Sequence, residues 1–487
     1  MNLYFNEIFD VDEGVLDDYG AFNIALVVDL PLFADPFLLF NSNKPEYIAL
    51  HDGIIDYLIY LRDISLKGGL SIGDKKNLFC FPEVSQNWLG FSTTSNAGRG
   101  LGIKFASALS ENLNTLFQNF GNEQVTQGSH LEKLCLIREG VGRDMISDFT
   151  TNLIKRFLCE YTEKFAKENL SPEQIQTFAV PRVNFSPKTK TWQPGTYELP
   201  LHDGDFVLLT PKDILTKDDA WINKKDFFKD YFDIAPAIQN DQLRANINQY
   251  FAQMVPKNPT AKEEAEAIRK TSLKYPELID YYIRHKEDNG EKATKRSRDL
   301  VKESLDVYVK QFGKLVDKLH EESNFYTLKE SSDSLGAALE RANYLKDIIE
   351  NKGGQKLFYH DGVAVKREAD LQILYRLVWF ETNFDVGREV NDGRGPVDFK
   401  ISNGAKDKTL IEMKLASNSQ LKRNLEKQLP VYQKASDAEG GVKVIIYFSA
   451  RELARVQRIL RDLNVSDSER IILIDARNDN KPSGSKA

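Results

Sequence analysis

Two short strand-like segments on either side of Asn403-Gly404 constrain this chain more than any other stretch. Val397 to Ser402 and Lys408 to Leu415 each read as a strand, and Asn-Gly between such runs signals a two-residue type I′ hairpin. A hairpin here brings Asp398 to the same end of the ribbon as Glu412 and Lys414. Glu412 and Lys414 are two apart, so they face the same side of their strand. Leu410, Ile411 and Leu415 surround Glu412 with apolar neighbours. A carboxylate beside a core is costly unless it is paired or holds a metal. Two carboxylates and a lysine converging in this way suit a hydrolytic metal site: the carboxylates offer hard oxygens to a divalent cation, and the lysine polarises a water or meets a phosphate.

The flanking sequence extends the pattern. Upstream, a segment from Glu368 carries apolar residues at 371, 374, 377, 378 and 380, a helical period. Asp385 to Val390 reads as a short strand before the hairpin. Downstream, Ser419 to Ala435 reads as a helix carrying Gln428 and Tyr432, with Pro430 imposing a kink or break. Val442 to Phe448 is a buried-type strand, Arg451 to Leu463 a helix, and Arg470 to Asp475 a last strand. The predicted order is helix, three strands, helix, strand, helix, strand.

Pro396-Val397-Asp398 followed by Glu412-Met413-Lys414, in that order of elements, resembles the PD-(D/E)XK nuclease superfamily, with one residue inserted between Pro and Asp. The resemblance covers roughly residues 356 to 480. It implies a mixed sheet flanked by helices and metal-assisted phosphodiester hydrolysis. It further implies Mg²⁺ or Mn²⁺ held by Asp398, Glu412 and the Met413 carbonyl, with Glu368 on a second ion or a metal-bound water and Lys414 acting on the attacking water. Glu389 is an alternative to Glu368. A Gln followed four residues later by Tyr occurs at this point in the recombination-type branch, which gives Gln428 a place in the catalytic set and Tyr432 a contact with DNA.

Two basic sets are candidates for phosphate contact. Lys422, Arg423 and Lys427 lie on the Gln428 helix, and Arg451, Arg455 and Arg458 share one face of the later helix. Solvated helix faces are the alternative reading of both. The net charge of −7 argues against indiscriminate polyanion binding, but it is uneven. From residue 360 onward 22 Lys and Arg stand against 19 Asp and Glu, whereas the preceding part has 43 against 53. A C-terminal region less acidic than the rest suits local contact with DNA.

The rest of the 487-residue chain predicts an α/β multidomain protein. Residues 1–222 read as a mixed α/β domain of sensing or regulatory type. Its strands are expected at Phe22–Asp29, Phe206–Leu209 and Thr177–Val183, with a long helical stretch from Leu131 to Lys167. Asn184 to Tyr197 reads as a loop or long hairpin connection. Residues 223–355 read as a helical spacer or oligomerisation region, 356–480 as the nuclease-like domain, and 481–487 as a disordered tail. Cys80, Cys135 and Cys159 are scattered and not at metal spacing, the usage of a reducing compartment. No signal peptide and no membrane span is read, so a cytoplasmic location is expected. His-Asp-Gly at 51–53, 202–204 and 360–362 reads as three turns, and the glycine-rich run 96–104 as a loop lacking a nucleotide-binding ending.

The expected function is a metal-dependent DNA endonuclease of bacterial restriction or anti-phage defence type. Its N-terminal region would gate it, with a homo-oligomer (dimer or higher) or a separate defence-system protein as partner. The alternatives are a repair or recombination nuclease acting on ends or branches, and a non-cleaving nucleic-acid-binding protein on a nuclease-like fold.

Overall fold

The computed structural model describes the chain outside Met1 and residues 68–69, 91–99, 118, 138–140, 218, 315–316, 318–330, 361–362, 365–374, 376–378, 380–381, 383, 392–395, 405–406, 427–439, 467 and 482–487. Helices Pro45–Leu66 (α1), Lys133–Ile137 (α2), Arg143–Leu153 (α3) and Lys155–Asn169 (α4) precede a hairpin of Ile175–Ser186 (β1) and Thr191–His202 (β2). Helices Lys224–Ala237 (α5), Glu277–Glu287 (α6), Gly290–Ser304 (α7) and Ser334–Asn351 (α8) follow. The last part holds strands Asp385–Asn391 (β3), Pro396–Asn403 (β4), Asp407–Leu415 (β5) and Gly440–Tyr447 (β6), then helix Ala450–Asp462 (α9) and strand Ile471–Asp475 (β7). The architecture is mixed α/β with several separate sheets.

One apolar cluster runs from Phe37, Leu58 and Phe149 through Val180 and Leu199 of the hairpin to Phe227, Tyr282 and Ala293. The helices from 224 to 293 therefore close the N-terminal core and do not stand apart as the expected spacer. Each is amphipathic, and an apolar face in a sequence does not say whether its partner lies in the same chain.

Several local expectations are corrected. Phe22 to Asp29 is no strand: Phe22, Ile24, Ala25 and Leu26 are buried in irregular chain tied down by single bridges such as Tyr4 to Ala25. A continuous apolar run does not declare its own conformation. Of Phe206–Leu209 only Phe206 is in a strand, and the Leu131–Lys167 stretch breaks into α2, α3 and α4. Asn184 to Tyr197 is mostly paired strand around a turn at 187–190, with Phe185 opposite Trp192 at 5.2 Å between rings. His51-Asp52-Gly53 lies inside α1, whereas His202-Asp203-Gly204 does turn, with φ of +49° at Asp203 and +81° at Gly204. Most of the glycine-rich run lies outside the described residues. No described helix is long and apolar enough to cross a membrane.

The N-terminal core encloses ionisable groups. Glu132 is fully buried, and the main-chain N–H groups near its carboxylate, its own and that of Phe37, only partly offset the loss of water. Burial, reinforced by the nearby Asp35, pushes its carboxyl up to about 8. Burial depresses the His51 imidazole to about 3, with His130 adding to the effect. The signs oppose. Glu132, raised in the folded state, stabilises fully below the ordinary carboxylate range and loses that contribution as pH climbs through about 8. His51, depressed, contributes above the ordinary imidazole range and loses that contribution as pH falls toward 3. Glu132→Gln is thus expected to flatten the alkaline loss of stability. Urea unfolding at pH 5.5 and 8.0 should show the variant gaining on wild type by roughly 2 kcal/mol across that interval. A constant difference between the two pH values would contradict the assignment.

The C-terminal sheet has the order β7-β6-β5-β4-β3. β3, β4 and β5 pair antiparallel, while β5 with β6 and β6 with β7 pair parallel. The two parallel pairings are reached by long crossovers, the second through α9. Side-chain alternation splits the sheet's faces. Phe399, Ile411, Met413, Val444 and Ile474 join Ala338, Leu345 and Ile349 of α8 in a cluster that also takes in Leu3, Phe5, Phe22 and Leu32. On the other face, Ile445 and Tyr447 meet Leu421, Leu425, Val456 and Leu460. α8, read above as part of the middle region, thus belongs to the packing of the sheet. Asp407, opening β5, accepts the Ser334 N–H at 2.9 Å and fixes where α8 starts.

The hairpin differs from its predicted turn in one respect. Asn403 pairs with Asp407, so the connection is the three residues 404–406 and not a two-residue loop. Gly404 has φ +74°, a left-handed conformation that glycine adopts without the cost a Cβ would bring.

Candidate active site

β4 and β5 run side by side only as far as Phe399 and Ile411. Beyond that pair β4 keeps company with β3, through Val397 with Val390 and Pro396 with Asn391. The Met413 N–H, next along β5, donates instead to the Asp398 carboxylate, to Oδ2 at 2.6 Å. The ladder opens at this point, and a side-chain oxygen stands where a main-chain carbonyl is the usual partner.

The three residues singled out by the sequence meet there. Lys414 Nζ donates to the same Asp398 Oδ2 at 3.4 Å and lies 3.9 Å from Glu412 Oε1. The side chains of Asp398 and Lys414 are 13% exposed and that of Glu412 5%, so the cluster is nearly withdrawn from water yet reachable. Among the described residues two acids share one ammonium here, and further positive charge adjoining them offsets the cost of holding both acids at low dielectric.

Some of that charge comes from a residue the sequence reading passed over. Lys443 of β6 stands in register with Glu412, and its ammonium donates to the Leu425 carbonyl at 2.8 Å. Burial lowers its pKa and the Glu412 charge opposes that shift. A lysine inside the otherwise apolar run Val442 to Tyr447 was the only sign in the sequence. Its place beside Glu412 depends on a parallel crossover that no local pattern reports.

The other candidates divide. Glu368, Lys427, Gln428 and Tyr432 lie outside the described residues. Glu389 falls in β3, whose backbone alone is described there. Lys422 and Arg423 are exposed on a short helix at 421–426, with Lys422 3.2 Å from Asp462 of α9. Arg451 and Arg458 are exposed on α9. Arg455 differs from them: its half-buried guanidinium donates to the carbonyls of Ala416 at 2.7 Å and Asn418 at 2.8 Å, and so latches α9 to the turn after β5. Shared helical spacing put it with Arg451 and Arg458, but its face turns inward against that turn.

The donor set suits a hard divalent cation. Asp398 and Glu412 supply carboxylate oxygens from neighbouring strands that have parted, and oxygen ligands with few carboxylates fit Mg²⁺ or Mn²⁺. Among the described residues no group of three His, Cys, Asp or Glu side chains is assembled as a metal cage.

Residues 10–223 match a family described as Domain of unknown function (DUF8370), and residues 334–450 match one described as Domain of unknown function (DUF8371). The second match begins with α8 and reaches past β6, and so takes in Asp398, Glu412, Lys414 and Lys443. No curated protein and no solved structure matches the chain.

Proposed function

We propose that the C-terminal region is a PD-(D/E)XK-type nuclease, a divalent-metal-dependent hydrolase of DNA phosphodiester bonds. The observation that carries this reading is the opened ladder, where Asp398, Glu412 and Lys414 converge on one face of a mixed five-stranded sheet. Asp398 and Glu412 would hold Mg²⁺ or Mn²⁺. Such an ion, when bound, offsets charge building on the phosphoryl oxygens and acidifies a bound water.

The remaining work falls to the chain. The Met413 N–H fixes the orientation of the Asp398 carboxylate. Lys414, held between the two acids, presents an ammonium that orients the attacking water or steadies a non-bridging phosphate oxygen. Lys443 offsets part of the Glu412 charge from the neighbouring strand. Exposed Lys422, Arg423, Arg451 and Arg458 supply contacts to the backbone of DNA. The N-terminal region would restrain or trigger cleavage in a defence role.

The test is cleavage of supercoiled plasmid by the full-length protein, with Mg²⁺ or Mn²⁺ and with chelator. Wild type should nick or linearise the plasmid only with metal, and Lys414→Ala should be slower by about 10²-fold or more. A Lys414→Ala protein that cuts at the wild-type rate, or cutting that chelator leaves unchanged, would overturn the reading.

A further inference from the structure

The geometry points to a second, separate site: a pocket in the N-terminal region that binds a small organic phosphate with an aromatic body, of the nucleoside monophosphate class. The cavity measures about 370 Å³ and lies where the segment 219–225 and the start of α5 meet α3. That volume falls within the usual small-ligand range of about 300–1,000 Å³ and is too small for a polymer.

Charge selects the ligand. Arg143, Lys224 and Lys225 line the pocket against one acid, Asp219. This basic cluster sits in the part of the chain where acidic residues outnumber basic ones, 53 to 43, so it runs against its surroundings. The three cations are held differently. The Arg143 guanidinium lies 4.5 Å over the Phe33 ring and 3.7 Å from the Asp144 carboxylate. Lys224 lies 5.4 Å over the Phe228 ring. Lys225 is exposed and has no ion pair among the described residues. With Asp144 and Asp219 set against the three cations, positive charge remains on two lysines that have no ion pair among the described residues, and the several oxygens of a phosphate can meet both at once where a carboxylate offers two.

Shape selects the rest. Ile146 and Ile222, both buried in the N-terminal core, line the pocket together with half-buried Phe228. Apolar and aromatic side chains beside cations suit a molecule with an apolar, flat body and an anionic end. A bare phosphate would leave the apolar lining uncovered, and an uncharged base would leave the cations unanswered. None of the lining residues belongs to the cluster around Glu412, so this inference stands or falls independently of the nuclease reading.

Calorimetric titration of the full-length protein tests it, with AMP, GMP, CMP and UMP as probes beside inorganic phosphate and adenosine. At least one nucleotide should bind with sub-millimolar affinity, more tightly than either fragment. The double variant Lys224→Gln/Lys225→Gln should weaken that binding about tenfold or more while its ligand-free melting temperature stays at the wild-type value. Arg143→Gln should weaken it in the same direction and gives a second reading through α3. Four nucleotides that all fail to bind would overturn the inference. So would variants that bind like wild type, or inorganic phosphate that binds as tightly as the best nucleotide.

Discussion

Asp398→Asn is expected to lower metal-dependent cleavage by at least ~10³-fold, about 4 kcal/mol of barrier, with little change in melting temperature. The asymmetry follows from what the side chain does. Asparagine keeps an oxygen that can accept the Met413 N–H, the 2.6 Å contact that replaces ladder pairing where β4 and β5 part. The local fold is therefore retained. What goes is the charge that would hold a divalent ion and that faces Lys414 at 3.4 Å. Plasmid cleavage rates, Mn²⁺ binding by calorimetry and a circular-dichroism melt separate the two effects. A variant that cuts within tenfold of wild type removes Asp398 from the site, and one that melts far lower makes its role structural.

The second large effect is on stability. Glu287, the last residue of α6, accepts the main-chain N–H of Gln127 at 2.7 Å and of Gly128 at 3.0 Å, and its Oε1 lies 2.9 Å from His130 Nε2. The Glu287 and His130 side chains are wholly buried, and His130 Nδ1 has no partner among the described residues. Glu287→Ala strands two amide donors and a ring nitrogen away from water at once. Loss of one partner from a buried network of this kind costs about 3–5 kcal/mol, against roughly 1 kcal/mol for an ordinary hydrogen bond. Glu287→Gln, which keeps an acceptor, should lose less. Urea unfolding decides it: a loss under ~1 kcal/mol for the alanine variant would mean that water replaces the carboxylate.

The contrast between these two residues shows what the sequence could convey. Asp398, Glu412 and Lys414 lie within one hairpin, so alternation and a turn signal suffice to bring them together. The strands of the sheet lie within a few residues of their predicted bounds because each is short, rich in alternating or continuous Val, Ile, Leu or Phe in most cases, and closed by turn residues. Glu287 and His130 are 157 positions apart, and nothing local ties the end of one helix to the loop before another. Lys443 was missed for the same reason, since its register with Glu412 is set by a crossover. The contacts of Arg455 with Ala416 and Asn418 were not legible either, because helical spacing reports which residues share a face but not what that face meets. That the helices from 224 to 293 share the N-terminal core was not legible, because an apolar helix face fits an internal or an external partner equally well.

Met413 gives the site a mechanical consequence. Its N–H pins Asp398 on one side of the sheet, while its side chain, fully buried, sits in the apolar cluster on the other side with α8 and the first thirty-odd residues of the chain. One residue thus joins the two faces: a shift of the Met413 main chain by repacking behind the sheet would carry the Asp398 carboxylate with it.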